Sequence, residues 1–286
     1  MKRNQSSLTA EGIAMARALE SSKPAGERVC YDPYARQFVG ACLWILGKAT
    51  MGYATRRSPG VLEFLVARTR FIDDYLQFCI ADGIEQLVIL GAGFDTRAYR
   101  FVQLRGCVKV FEVDHPATQQ VKIAKLRKIL GELPNDVAFV PIDFDRETLD
   151  QLFTRGYDRW LKTLFIWEGV TMYLAADAVD ATLAFIAGNS GAGSSIVFDY
   201  IYRAALDGTM KENEVKSMQR WRSVTGEGLV FGIQKGRIDG FLSQRGFENI
   251  VNADGDALKC AYFAGANQCE RVVAPVYAIV HADVAR

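Results

Sequence analysis

The apolar positions of this chain follow two rhythms, and the change between them divides it. In residues 8–20 (LTAEGIAMARALE), Ile13, Ala16 and Leu19, or Ala10, Ala14 and Ala18, recur at helical spacing. Lys23-Pro24-Ala25-Gly26 then breaks the predicted helix. Residues 34–47 and 61–80 read as further helices, so residues 1–80 are expected to form a helical cap or lid. From residue 86 the pattern becomes a series of short apolar runs, at 86–90, 109–113, 138–141, 163–167, 195–200, 248–251 and 276–281. Runs of this kind suit strands covered on both faces. Helical segments at 116–130, 146–155 and 176–188 lie between several of them. Strand–helix alternation predicts an α/β fold for residues 81–286, a mostly parallel seven-stranded sheet with helices on both faces. The polar, charge-rich stretch near 202–240 interrupts the rhythm and reads as an insertion that helps build a substrate pocket.

Composition narrows the partners. Lys plus Arg (34) balances Asp plus Glu (33), so the broad basic footprint of a nucleic-acid binder is missing. The six Cys form no C-x-x-C pair and there are two His, which argues against a Cys/His metal cage and for reduced, mostly buried thiols in a cytoplasmic protein. The polar start has no apolar signal-peptide core. The most apolar run, 38–47, is about half the roughly twenty residues a bilayer span needs, so a buried helix is expected there and no membrane partner.

Four loops follow strands and carry the chemistry. Gly91-Ala92-Gly93-Phe94-Asp95-Thr96-Arg97 is a glycine turn leading toward a helix, and it lets a ligand approach the backbone. Thr96 stands where the dinucleotide fingerprint needs a third small residue. Glu112-Val113-Asp114 ends the next strand about twenty residues on, where an acid can accept from ribose hydroxyls. A nicotinamide dinucleotide or an adenosyl ligand satisfies both signals. After the third strand, Asp143 could accept from an adenine amino group with Phe144 against the ring; equally, Asp143 or Asp145 could cap a helix near Arg146. After the fourth, Glu168 could face the ammonium of a bound amino acid, or serve as a cap or structural pair. Tyr173, beyond it, fits a pocket wall, a general base or plain core. Upstream, Arg68 or Arg70 could fork onto a ligand carboxylate.

Together these residues resemble the leucine carboxyl methyltransferase-like family, and more closely its bacterial branch of S-adenosylmethionine-dependent O-methyltransferases associated with polyketide-type small molecules. The matching pieces run in order: Tyr31-Asp32-Pro33-Tyr34-Ala35, Ala67-Arg68-Thr69, the block from Leu90 to Arg97, Glu112-Val113-Asp114, Asp143-Phe144, Trp167-Glu168-Gly169 through Tyr173-Leu174, and Gly226-Glu227-Gly228 through Phe231-Gly232-Ile233. The resemblance implies a Rossmann-like class I methyltransferase and an S-adenosyl-L-methionine site. In it, Arg68 would hold the methionine carboxylate, Gly91 and Gly93 would line the cofactor, Asp114 would take the ribose hydroxyls, Asp143 and Phe144 would frame adenine, and Glu168 would meet the ammonium. Arg17 aligns loosely with a basic residue near the pocket of relatives.

A sulfonium carries its own leaving group, so the protein chiefly positions the acceptor and excludes water. His115 and His281 lack the context of a base, which favours a carboxylate acceptor, already ionised near neutral pH, over a phenol. The expected partner is a small-molecule acceptor rather than a protein. A nicotinamide-dependent oxidoreductase and a non-catalytic binding protein are the rival readings.

Overall fold

The computed structural model describes residues 8–144, 146–210, 228–264 and 271–286. Its centre is a seven-stranded sheet in the order β3-β2-β1-β4-β5-β7-β6. The strands are β1 Gln86–Leu90, β2 Lys109–Asp114, β3 Val137–Pro141, β4 Thr163–Trp167, β5 Ser195–Ile201, β6 Phe247–Asp254 and β7 Tyr277–Val284. β1 to β5 pair in parallel, and β7 runs antiparallel between β5 and β6. This is the mostly parallel α/β sheet that the apolar runs predict.

Alternation along each strand sorts side chains into two cores. Leu87, Ile89, Leu164, Ile166, Val197 and Ile279 face one side. There they meet α4 Val61–Ala81, α6 Pro116–Leu130 and α11 Gly255–Tyr262. Val88, Leu90, Phe165, Trp167, Phe198 and Val280 face the other, against α7 Gln151–Thr154, α8 Ala176–Gly188 and α10 Ile238–Ser243. β1 and β4 are buried throughout and apolar after their first residues, Gln86 and Thr163, because both their faces are covered. α6 starts cleanly because His115 Nδ1 accepts from the Ala117 amide at 3.2 Å and Pro116 needs no partner for a missing N–H.

The first eighty residues are helical, as expected, but differ in detail. α1 Leu8–Ser21 and α4 match the apolar spacing. The single helix expected over 34–47 is two, α2 Ala35–Phe38 and α3 Ala41–Arg57. Val39 is extended between them, and the Gly40 amide donates to Glu11 Oε1 at 3.0 Å, which restarts the chain in a new direction. The apolar run 38–47 is not a buried helix: Ile45 is 70% exposed and Leu46 61%. Only one flank of α3 rests on α1, where an added Cβ on Gly47 would lie 2.4 Å from Met15 Cε.

Three further expectations change. The helix expected over 146–155 shrinks to α7, because residues near Asp143 form a turn held by their own backbone. Of the described cysteines, Cys30 and Cys79 are buried but Cys42, Cys107 and Cys260 are exposed, so the thiols are not mostly buried. The 202–240 stretch is described only at its ends, where α9 Arg203–Leu206 forms and Tyr202 bridges Ile233. Asp145, Cys269, Gly226 and Glu227 lie outside the described residues. Among the described residues, no helix is long and apolar enough to cross a membrane.

Candidate functional site

In an open parallel sheet, ligands bind beyond the strand C-termini where the strand order reverses, here between β1 and β4. The glycine turn leaves β1 at this point. Gly91 and Gly93 have φ of 64° and 40°, a backbone that side chains disfavour. A Cβ on Gly91 would lie 2.3 Å from Val170 Cγ2, so glycine also lets the β1 and β4 loops close on each other. A Cβ on Gly93 would lie 3.2 Å from Ala10 Cβ, which places α1 directly over the turn.

Beside the turn, four segments bring buried charges together. Glu168 lies between two guanidiniums: its Oε2 accepts from Arg97 Nη1 at 2.6 Å, and its Oε1 is 2.9 Å from Arg68 Nη2. Arg68 Nη1 also reaches Asp199 Oδ2 at 2.5 Å, and the Gly169 amide donates to Asp199 Oδ1 at 2.6 Å. Arg97 pairs with Asp95 and, at 2.8 Å, with Asp73, which Arg100 meets at 2.6 Å. Arg17 of α1 pairs with Asp32 at 2.8 Å and donates to the Phe94 carbonyl. Burial alone would raise the pKa of every such carboxyl. For Glu168 burial is overcome by Arg97 and Arg68, which hold it ionised below the usual carboxylate range. For Asp199 burial outweighs Arg68 and the Gly169 amide, and its pKa sits above its ordinary value.

The cluster has spare capacity. Arg68 Nε is buried and makes no hydrogen bond among the described residues, and Arg68 Nη2 and Glu168 Oε1 meet only as a 2.9 Å ion pair without hydrogen-bond alignment. Buried polar atoms are rarely left so, and orphans of both signs beside a glycine turn suit a zwitterionic amino-acid group. Arg70, the alternative to Arg68, points elsewhere: it is half-exposed and pairs with Asp74 at 2.7 Å.

The other end of the edge is built locally. Asp114 accepts from the Gly93 amide and, at 2.6 Å, from the His115 amide. Those bonds use two of about four acceptor positions on a carboxylate and leave room for hydroxyl donors. Burial pushes the Asp114 pKa up, beyond what these two amides offset. Asp143 follows β3 on the neighbouring strand end, where Ile142 N donates to Asp114 O at 2.9 Å. Its carbonyl accepts from the Arg146 and Glu147 amides at 2.9 Å, and its amide donates to Glu147 Oε2 at 2.8 Å. Asp143 thus organises a turn, and Phe144 packs half-buried on the second core. Glu112, one pleat below Asp114, is turned inward to Lys122 at 2.8 Å and is structural.

Tyr173 sits in a 3₁₀ turn, Thr171–Tyr173, and packs with Val276 and Tyr277. Neither histidine is placed as a base at this edge. His115 is the α6 cap, and His281 pairs with Val197 in mid-sheet and stacks on Tyr75 at 4.0 Å. Sequence reasoning missed Asp199, Arg97 and Asp73 as members of the cluster. Asp199 carried a signal, an acid inside the apolar run SIVFDY, where an unpaired charge would be costly. Asp73 carried a weaker one, buried on α4 one turn beyond Arg68 and Thr69.

The rival dinucleotide fold orders its strands 3-2-1-4-5-6, whereas here an antiparallel β7 is inserted between β5 and β6. A model of the leucine carboxyl methyltransferase family matches residues 10–187, more than half of the chain. A "Putative S-adenosyl-L-methionine-dependent methyltransferase" of Streptomyces coelicolor is 36% identical over 189 residues, which are 65% of this chain and 66% of the relative, just under two thirds of its length. A protein of the same description from Mycolicibacterium gilvum is 31% identical over 269 residues, covering 87% of each chain. A crystal structure of a "putative methyltransferase" from Thermobifida fusca superposes with a TM-score of 0.63 over 98% of this chain and 96% of that one; at 15% identity it speaks for the fold alone. By sheet order, glycine turn and these matches together, the chain belongs to the leucine carboxyl methyltransferase family, within the S-adenosylmethionine-dependent methyltransferases.

Proposed function

We propose that this chain transfers the methyl group of S-adenosylmethionine to an oxygen of a small, polyketide-like acceptor, with a carboxylate as the favoured oxygen. The observation that carries the reading is the buried Arg68–Glu168 ion pair beside the Gly91 turn, with Arg68 Nε left unbonded among the described residues. Arg68 would turn its Nε–Nη2 edge to the cofactor's carboxylate and Glu168 Oε1 would accept from its ammonium, the zwitterion taking the place of the 2.9 Å contact between them. Asp114 keeps acceptor positions for the ribose hydroxyls, with Gly93 supplying a side-chain-free floor. Asp143 and Phe144, on the β3 side of Asp114, would frame adenine. Bound there, the sulfonium supplies both the methyl group and its own leaving group.

The residues then have to orient the acceptor and exclude water. α1 closes over the turn through Ala10 and Arg17, and Tyr173 and Tyr277 wall the β4–β5 side. Burial raises the Tyr277 pKa, so it is a poor base; His115 spends its Nδ1 on the Ala117 amide, and His281 stands in mid-sheet against Tyr75. Such a site favours an acceptor that arrives already ionised. The family's named activity on a leucine carboxyl points the same way.

Two measurements test the reading. S-adenosylhomocysteine should raise the melting temperature while NAD should not, and the reverse result would discard it. Labelled methyl groups transferred to a library of apolar carboxylic and hydroxylic acceptors should then be released as methanol by mild alkali, as an ester requires. Alkali-stable label would move the acceptor to a hydroxyl.

A further inference from the structure

We propose that α3 is an interfacial helix that lays its outer apolar stripe on an anionic membrane surface. The helix is apolar on two opposite flanks. Trp44, Gly47 and Met51 lie half-buried on the inner flank, while Ile45, Leu46 and Tyr53 on the outer one are 70%, 61% and 62% exposed. Exposed apolar side chains grouped on one face of a helix mark an interaction site.

Charge identifies the occupant. Ala41–Arg57 contains no acidic residue, and of its basic residues Lys48 lies near the middle, over the Trp44 ring at 5.4 Å, while Arg56 and Arg57 stand in the last turn. Arg57 rests over the Tyr53 ring at 5.0 Å, so a cation borders the apolar stripe. Apolar residues on one side with basic side chains and a tyrosine at their border is the pattern of helices that lie in the headgroup region. A second copy of the chain fits poorly. Two α3 helices packed antiparallel would set Arg56 against the partner's acid-free first turn, which is also the positive end of the helix dipole. Packed in parallel, they would set Arg56 against Arg56. A bilayer of anionic lipid meets the same stripe with matching charge. A single short stripe of this kind lies in the headgroup region, so the contact made by α3 is peripheral and reversible.

The test is sedimentation of the full chain with vesicles of equal phosphatidylglycerol and phosphatidylcholine, compared with phosphatidylcholine alone. The chain should pellet with the mixed vesicles, and binding should fall about tenfold on phosphatidylcholine or in about 0.5 M salt. Ile45→Glu/Leu46→Glu should cut binding by at least about tenfold on the mixed vesicles. Arg56→Gln/Arg57→Gln should remove most of the preference for anionic lipid. All three forms should melt within about 2 °C of one another, since the altered side chains are exposed. Failure of the parent chain to pellet, equal binding to both vesicles, or undiminished binding of the Glu variant would each overturn the proposal. A dimer in light scattering that the Glu variant abolishes would also overturn it and assign the stripe to a second copy.

Discussion

The two ends of the sheet's ligand edge are built by opposite means. At the β4–β5 end, Arg68, Arg97, Glu168, Asp199 and Asp73 come from α4, the β1 loop, the β4 loop and β5, and they are held by one another's charge. At the β2–β3 end, the Asp114 carboxylate is held by amides of adjoining loops, and Asp143 sits in a turn bonded through its own backbone carbonyl and amide. The difference matches what each end is proposed to hold. A zwitterion in a buried site needs full charges already in place, since ordering them afterwards would cost desolvation as well as entropy. Hydroxyls and an exocyclic amine need only acceptors, which a loop can present alone.

The largest expected effect comes from cutting the charge cluster. Arg97→Met leaves Asp95, Asp73 and Glu168 buried with fewer counter-charges. Urea unfolding should show a loss of about 3–5 kcal/mol, with cofactor binding lost as well. A loss below about 1 kcal/mol would mean that water reaches the cluster, and the contrast between the two ends would disappear. The pKa shifts give this end a pH signature. Glu168 is depressed in the fold, so its stabilisation is complete above the ordinary carboxylate pKa and is lost only as pH falls through the depressed value.

The same contrast explains what could be read from the chain. The strands, the glycine turn and Asp114 were legible because their causes are local: a both-faces-buried run, a positive φ, a strand end at the right spacing. The cluster was legible only at Arg68 and Glu168. Arg97 to Asp73 spans 24 positions and Arg68 to Asp199 spans 131, and no spacing rule links residues that meet only through the sheet. The buried helix expected at 38–47 failed for a related reason. Periodicity shows that a face is apolar, but what covers it is a tertiary fact.

Asp114→Asn probes the locally built end. The remaining amide oxygen still accepts from Gly93, so stability should change by under about 1 kcal/mol, whereas S-adenosylhomocysteine should bind about tenfold to a hundredfold more weakly. The parent chain's affinity should also fall with acid sooner than an ordinary aspartate would dictate. The Asp114 pKa is raised, its ionised form accepts the hydroxyls, and that form is lost as pH falls through the raised value. Asp199 is raised too, but it faces Arg68, so the part of the pH profile that Asp114→Asn flattens belongs to Asp114. An unflattened profile would transfer the ribose role elsewhere.

The smallest effect is expected at Asp143, and there the ligand rather than the protein makes the distinction. Asp143→Ala keeps the backbone carbonyl that accepts from Arg146 and Glu147 and the amide that donates to Glu147, so the turn and the stability should hold to within about 0.5 kcal/mol. Loss of one bond to adenine should weaken S-adenosylhomocysteine about fivefold. S-inosylhomocysteine replaces the donating amino group with an oxygen that Asp143 would repel. The parent chain should therefore prefer the adenosyl form, and Asp143→Ala should bind the two alike. A preference that survives the substitution would leave Asp143 with its turn-forming role alone and place the recognition of adenine on the backbone near Phe144.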